Sequence, residues 1–557
     1  MRWSKVFVDV AVFALGLALL VWGLGRGQER ETDALKSLAV LEGGRVKPFD
    51  TFARETLRLL YGKESFDGKP AVEVVMTWLI APQVWDEKLL VEIRHAGLKN
   101  ALQIDPSRTH FSPSELFRND RFSLVLQELR AKAATKEKLN PYYQAAQRLE
   151  NQLGQYQVFK SGSGLHVLPP PAGQDGWKTV ISLDGEPRDQ FARVTSSFVH
   201  ALLKSSPEAA SLEVPAGASS IPLAQAVQEF QASARKINPA IYGDPGVLAV
   251  EIYYNWLHPF RISWLVYLCA VILMALAWQS GRPVFSELGW AAAVVAFLIH
   301  IYGFGLRMYL TGRPPVSNIY ETVVWVAFGA VLFAMIFEFL HRRKFILLAG
   351  AAVAVLCLIV ADIAPTILDK SLQPLEPVLR SNLWLTIHVL MITISYSAFF
   401  LGWGLGVVGL GMILKGDSAT SRRVREVSES LYRALQVGVV LLAAGTILGG
   451  VWADYSWGRF WGWDPKETWA LIALLGYLAL LHARLVGWAQ NFGMLAGAVV
   501  AFSLVIMSWY GVNFVLGAGL HTYGFGAGGI QYVSAFVAGS LLYVGYVSYV
   551  HKFGKAV

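Results

Sequence analysis

Apolar residues fall along most of this chain in blocks of about 20, the length at which an α-helix crosses a ~30 Å hydrocarbon core. Ten such blocks occur, at roughly 6–24, 261–279, 286–306, 320–340, 345–363, 388–413, 434–451, 469–487, 492–510 and 531–550. Between the first and the second the pattern changes, and residues 27–257 read as a polar domain. There the stretch 116–153, FRNDRFSLVLQELRAKAATKEKLNPYYQAAQRLENQLG, sets apolar residues at helical spacing among charges and is interrupted at Pro141. The segment 161–176, SGSGLHVLPPPAGQDG, reads as a loop. Inside a bilayer every backbone polar group needs a partner within its own segment, so spans this apolar are helices. The pattern predicts an all-α polytopic membrane protein of about ten transmembrane helices, with a mainly helical extracytoplasmic domain inserted after the first. Residues 1–26 form the anchor, 27–258 the inserted domain and 259–557 the membrane domain. The first block is long and no A-x-A cleavage site follows it, so an uncleaved anchor is expected over a cleaved signal peptide. No internal repeat is visible.

Composition supports this reading. Of 557 residues, 54% are hydrophobic and only 16% charged, against roughly 25% charged in soluble domains. The net charge of +8 does not indicate nucleic acid, because the basic residues cluster in short loops between apolar blocks, where they set topology. With the amino terminus inside, the inner loops and ends carry 14 Lys and Arg and the short outer loops 6. That bias places both termini in the cytoplasm and the polar domain outside, as expected for a multi-pass protein of a bacterial inner membrane. The two cysteines, Cys269 and Cys357, both lie in apolar blocks. There is no disulfide framework and no Cys-x-x-Cys-His, so the chain is not itself a c-type cytochrome.

The chemistry concentrates in one loop. Residues 452–472 read WADYSWGRFWGWDPKETWALI, with Trp452, Trp457, Trp461, Trp463 and Trp469 within 18 positions. An interfacial aromatic belt accounts for some of these, but five indoles exceed what a belt needs. Asp464-Pro465-Lys466-Glu467 is a helix start, with Asp464 as N-cap, Pro465 as first helical residue and Glu467 completing a capping box. This gives Asp464 and Glu467 a structural role ahead of an acid–base one. The N–H groups and dipole of such a helix start, beside a bed of tryptophans, suit a flat aromatic ligand with anionic groups. Heme fits, and Arg459 is placed to pair with a propionate. His388 and His521 fall on the same side as this loop by the topology, and heme iron commonly takes axial histidine. His482 sits near the inner end of its span, where an ionisable group is a functional candidate; a hydrogen-bonded packing histidine is the plain alternative for each of the three. His300 is assigned to packing or a hydrogen bond, and His258, His341 and His551 to the interface. His95, His110, His166 and His200 are scattered surface or core residues.

The segment WGRFWGWDPKETWALI resembles the tryptophan-rich WWD signature of heme-handling proteins. The order around it is similar to the CcsA/ResC type of cytochrome c biogenesis protein. That order is His388 in LRSNLWLTIHV, the Trp loop 452–469, His482, then His521 in GLHTYG. The segment RMYLTGRPPVSNIYET at 307–322 also resembles the family, over about 286–550 in all, and GGRVKPFDTFARE at 43–55 is like a segment of relatives fused to a ResB-like partner. The resemblance implies heme b as substrate, with His388 and His521 as axial ligands at a site lined by Trp457, Trp461, Trp463, Asp464, Trp469 and Arg459. It implies His482 as one ligand of a heme within the membrane. A separate ResB-like membrane protein would supply the second ligand, with apocytochrome c as client and lipid around the spans. The reaction expected is heme delivery and covalent attachment to Cys-x-x-Cys-His, as part of a cytochrome c synthase in which the client's thiols are the nucleophiles and no catalytic side chain is assigned. Heme transport or chaperoning without ligation is the alternative. Docking of the partner or client is expected on the 116–153 stretch of the polar domain.

Overall fold

The computed structural model describes residues 16, 30–134, 139–205, 221–341, 343, 345–364, 368–374, 384–516 and 529–553. Packing divides the chain into two compact units, one made of 24–257 together with 371–374, the other of the remaining residues. Apart from residue 16, the span predicted at 6–24 lies outside the described residues, as does the ligand candidate His521.

In the polar domain, Gly43 and Gly44 both take positive φ, 58° and 78°, the backbone that a two-residue hairpin turn requires. They join strands Ala39–Glu42 and Arg45–Pro48. The first of these strands also pairs with His166–Leu168, which pairs in turn with Lys178–Thr179, to complete a four-stranded antiparallel sheet. The sequence reading assigned 161–176 wholly to a loop; the structure places a strand within it, because pairing with Ala39–Glu42 overrides the local turn composition. The remainder of the domain is mostly helical. Helix Asp120–Ala134 and helix Pro141–Lys160 cover most of the 116–153 stretch, the second opened by Asn140, whose side chain accepts from Tyr143 N, with Pro141 in the first turn. These two helices close over a core of Val125, Leu129, Ala146, Leu149 and Leu153. His95 caps a helix by accepting from Leu98 N, and His110 Nε2 meets Tyr61 O at 3.1 Å.

Among the described residues, nine helices are long and apolar enough to cross a membrane: Pro245–Ser280, Pro283–Thr311, Ile319–His341, Ile346–Ile363, Thr386–Leu414, Arg422–Trp457, Pro465–Leu485, Asn491–Leu516 and Ile530–Phe553. Each overlaps one of the apolar blocks. Small residues let them approach closely: a Cβ on Gly438 would stand 2.6 Å from the Phe399 ring, and one on Gly350 2.4 Å from Ala334 Cβ. Two stretches depart from α-helical hydrogen bonding. Leu385–Val389, which contains His388, and Met507–Leu516, the last described segment before His521, are both π-helical. Such turns recur at functional sites because they re-aim side chains without ending the helix.

The SNIYE segment folds around a buried ion pair. Arg307 Nε donates to Glu321 Oε1 at 2.7 Å with both side chains 1% exposed, and Ser317 N and Oγ both donate to Glu321 Oε2. Arg307 also donates to Lys370 O and lies over the Tyr320 ring. Glu321→Ala strands a buried guanidinium without its carboxylate, and is expected to cost about 3–5 kcal/mol. Thermal denaturation of the detergent-solubilised protein measures it, and an unchanged transition removes the clamp from the account.

His300 is fully buried against Phe260, Tyr267, Phe304 and Phe328. The sequence reading assigned it to packing or a hydrogen bond. Its helix packs on Pro259–Ser280, whereas the helix of His482 packs on Asn491–Ile506 and Arg422–Trp457.

Candidate functional site

The site assembles where three stretches meet: the π-helical turn with His388, the end of helix Arg422–Trp457, and the start of helix Pro465–Leu485. His388 Nδ1 lies 2.7 Å from Gly445 O. A carbonyl only accepts, so Nδ1 carries the proton and the lone pair sits on Nε2, the arrangement by which a backbone acceptor prepares a histidine for a metal. The ring stacks on Trp452 at 6.2 Å and 15°, and Trp452 meets Trp457 edge-on at 4.7 Å. The approach depends on glycines. A Cβ on Gly449 would fall 2.4 Å from the His388 ring, and one on Gly445 3.0 Å from Ile392.

Helix Arg422–Trp457 ends at Gly458 in the left-handed conformation. The loop returns over the site, with the Arg459 guanidinium 6.0 Å from the Trp457 ring centroid. Gly462 leaves room for that guanidinium, since a Cβ there would overlap it. Trp461 and Trp463 stand edge to face at 5.8 Å, with Trp463 69% exposed at a positive φ of 56°. Trp469 lies half-buried in the first turns of the next helix.

The start of that helix has the capping box read from the sequence. Asp464 Oδ1 accepts from Lys466 N at 2.9 Å, and Glu467 Oε2 accepts from Asp464 N and Gly462 N. One expectation changes here. The helix start was to offer its N–H groups to an anionic ligand, but Asp464 takes those of residues 466 and 467 and Pro465 has none. The cap satisfies the donors, which leaves Arg459 as the candidate partner for an anion. Glu467 Oε1 is buried without a hydrogen-bond partner among the described residues.

Trp509, on the second π-helical stretch, links these parts. Its indole N–H donates to Thr322 Oγ1 at 3.0 Å, its ring stands 5.9 Å from Tyr396, and Lys466 Nζ reaches its carbonyl at 3.4 Å. The sequence reading placed Trp452 in the tryptophan loop but not among the lining residues, and it missed Gly445, Gly449 and Trp509. The pair of glycines one helical turn apart in GTILGG was a signal for a close approach; nothing in the pattern marked Trp509.

His482 lies apart from this cluster. It is eighteen positions beyond Asp464 on one helix, about 27 Å along the axis at 1.5 Å per residue. Its Nδ1 also meets a backbone carbonyl, Leu478 O at 2.7 Å, so its Nε2 likewise holds the lone pair. The side chain is exposed on a helix that the rest of the chain covers sparsely. No group of three or more His, Cys, Asp or Glu suited to a bare metal ion occurs among the described residues.

Residues 316–521, which span the SNIYE segment, the Trp loop and all three histidine candidates, match the family model described as Cytochrome C assembly protein. The chain is similar to the cytochrome c biogenesis protein CcsA of Guillardia theta, 32% identical over 292 residues that cover 47% of this chain and 95% of that protein. This chain belongs to the CcsA family of cytochrome c biogenesis proteins. The protein NrfI of Wolinella succinogenes is 31% identical over 504 residues, which cover 86% of this chain and 53% of that protein, so the chain spans about half of NrfI's length. A solved structure, the cytochrome c heme lyase CcmF, aligns over 54% of this chain and 56% of its own at 16% identity and a TM-score of 0.35, too distant to carry any argument. CcsA membership accounts for the order of motifs along 316–521.

Proposed function

We propose that this chain binds heme at the Trp loop and presents it for covalent attachment to the Cys-x-x-Cys-His of apocytochrome c. The observation that carries the reading is His388, held by Gly445 O so that its lone pair sits on Nε2, against a wall of Trp452 and Trp457 with Arg459 beside it. The donor set fits heme: imidazole for iron, indoles for the macrocycle, and a guanidinium for a propionate. His521, on the segment that follows the second π-helical stretch, is the proposed second axial ligand. Trp461, Trp463 and Trp469 complete the aromatic surface, and Asp464 holds the loop to the helix. In this reading the Trp loop faces the outside of a bacterial inner membrane. The client brings the nucleophiles: each thiol adds across a vinyl group, the new C–S bond forming as the thiol proton passes to the neighbouring carbon. The protein contributes orientation and a protected iron.

His482 is proposed to hold a second heme within the membrane. Its exposure fits a second ligand contributed by another chain, a ResB-like membrane partner. The absorption spectrum of the purified protein with a pyridine hemochrome assay tests the heme reading: a b-type heme that co-purifies supports it, and a protein free of heme at every stage of purification contradicts it.

The glycine approach gives a sharper expectation. Gly449→Ala drives a methyl group into the His388 ring, so it is expected to lower heme retained at the Trp loop by on the order of tenfold, as loss of a ligand's support does at other metal sites. Titration of the apoprotein with heme measures this. Wild-type affinity in the variant would mean that His388 does not need the geometry described.

A further inference from the structure

The SNIYET segment carries one side chain that the buried ion pair does not use. Thr322 follows Glu321, and its backbone is fixed by the same helix start: Asn318 Oδ1 accepts from Glu321 N at 2.8 Å, and Asn318 O from Thr322 N at 3.0 Å. Thr322 Oγ1 donates to Ile319 O at 2.9 Å, which leaves its lone pairs for the indole N–H of Trp509 at 3.0 Å. Both side chains are buried. The neighbouring Ser508 Oγ is hydrogen-bonded to Tyr396 OH at 3.0 Å, also in the interior. Tyr396 lies eight positions past His388 on one helix, roughly 12 Å along its axis. The carbonyl of Trp509 accepts from Asn513 Nδ2 at 3.0 Å and from Lys466 Nζ at 3.4 Å. Lys466 is thus held at both ends, its N–H by Asp464 and its ammonium by Trp509 O. All of these residues belong to one compact unit.

We propose that Trp509 is a positioning residue for the Trp loop, and that the Thr322 hydroxyl sets it. A buried indole N–H needs an acceptor, and the rigid start of helix Ile319–His341 supplies one in a fixed place. That fixes the ring, and with it the π-helical backbone whose carbonyl holds Lys466. The start of helix Pro465–Leu485, to which Asp464 and Glu467 bind the end of the Trp loop, is thereby tied to the helix that bears His388 through Ser508 and Tyr396. Without the hydroxyl the indole turns to find another acceptor, its carbonyl moves, and the helix start loosens. The proposal rests on the reading of the Trp loop as a heme site, and its test separates the two.

The full-length protein is prepared as wild type, Thr322→Val, Thr322→Ser, Trp509→Phe and the Thr322→Val/Trp509→Phe double variant. Valine keeps the shape without the hydroxyl, serine keeps the hydroxyl, and phenylalanine keeps a ring without the N–H. Hydrogen–deuterium exchange of the apoprotein gives a readout that needs no heme. Exchange in the peptide 459–470 is expected to quicken about tenfold in Thr322→Val and Trp509→Phe, as local opening becomes easier, and to stay at the wild-type rate in Thr322→Ser and in helices of the 27–257 domain. Titration with heme is expected to show affinity about tenfold weaker in the valine and phenylalanine variants, as when a ligand's supporting contacts are lost. The double variant should lose no more than either single one, because both remove the same bond. Unchanged exchange at 459–470, equal quickening throughout the chain, or a serine variant that behaves like the valine one overturns the positioning role. Additive losses in the double variant overturn the Thr322–Trp509 link. Faster local exchange with wild-type heme affinity overturns its bearing on the ligand. If the wild-type protein takes up no heme at all, the heme reading fails, while the exchange pattern still decides whether Thr322 and Trp509 hold the loop.

Discussion

Replacement of His388 by glycine is expected to abolish most heme retention at the Trp loop, and imidazole at millimolar concentration to restore it. The hydrogen bond to Gly445 O and the stacking on Trp452 fix the ring in one tautomer and one plane. Glycine removes the ligand and leaves a slot of imidazole's size beside the indole. Loss of an iron ligand is expected to cost more than the ~10–100-fold that follows loss of its supporting contacts. Heme affinity, the Soret position and cytochrome yield are read with and without imidazole. Normal heme content together with normal cytochrome yield in the glycine variant would remove His388 from the site.

His482→Ala is expected to act differently. The residue lies about 27 Å along its helix from the Trp-loop cap, with its side chain exposed and its Nδ1 committed to Leu478 O. The variant should lose co-purifying heme, because the proposed membrane site loses its ligand. Its Trp-loop site should still bind heme added from outside with wild-type affinity. The two measurements are heme content as purified and heme titration of the apoprotein. A variant with full heme content and wild-type cytochrome yield contradicts the role given to His482, and one that loses both properties shows that the two sites are not separate.

Much of the architecture could be read directly from the chain. The apolar blocks marked each of the nine described spans, because a bilayer imposes a length and a composition that few other environments do. The helix start at Asp464 was equally legible, since a capping box is a short-range device spelled out by residues 464–467. What escaped depends on distant parts of the chain. The strand within 161–176 forms because a partner strand at Ala39–Glu42 lies beside it, not because its own composition favours one. The π-helical turns at His388 and before His521 change hydrogen-bond register without changing hydrophobic pattern. The stacking of Trp452 on His388 was not legible, because it depends on Gly445 and Gly449 admitting the histidine from another helix. The error over the helix-start N–H groups has a similar origin: the same Asp464 that signals the helix also uses up the donors that an anion would have needed. His521 remains assigned by resemblance and by its place in the chain.

The central claim is that this chain presents heme for thioether formation. It is tested most directly by co-producing it with a ResB-like protein and an apocytochrome bearing Cys-x-x-Cys-His, in cells that lack any other cytochrome c maturation system, and measuring covalent heme on the client by denaturing gel and peroxidase stain. The account predicts covalent heme that depends on this chain and on His388. A client that acquires no covalent heme, while the purified chain carries heme at both sites, would contradict attachment and leave heme transport as its function.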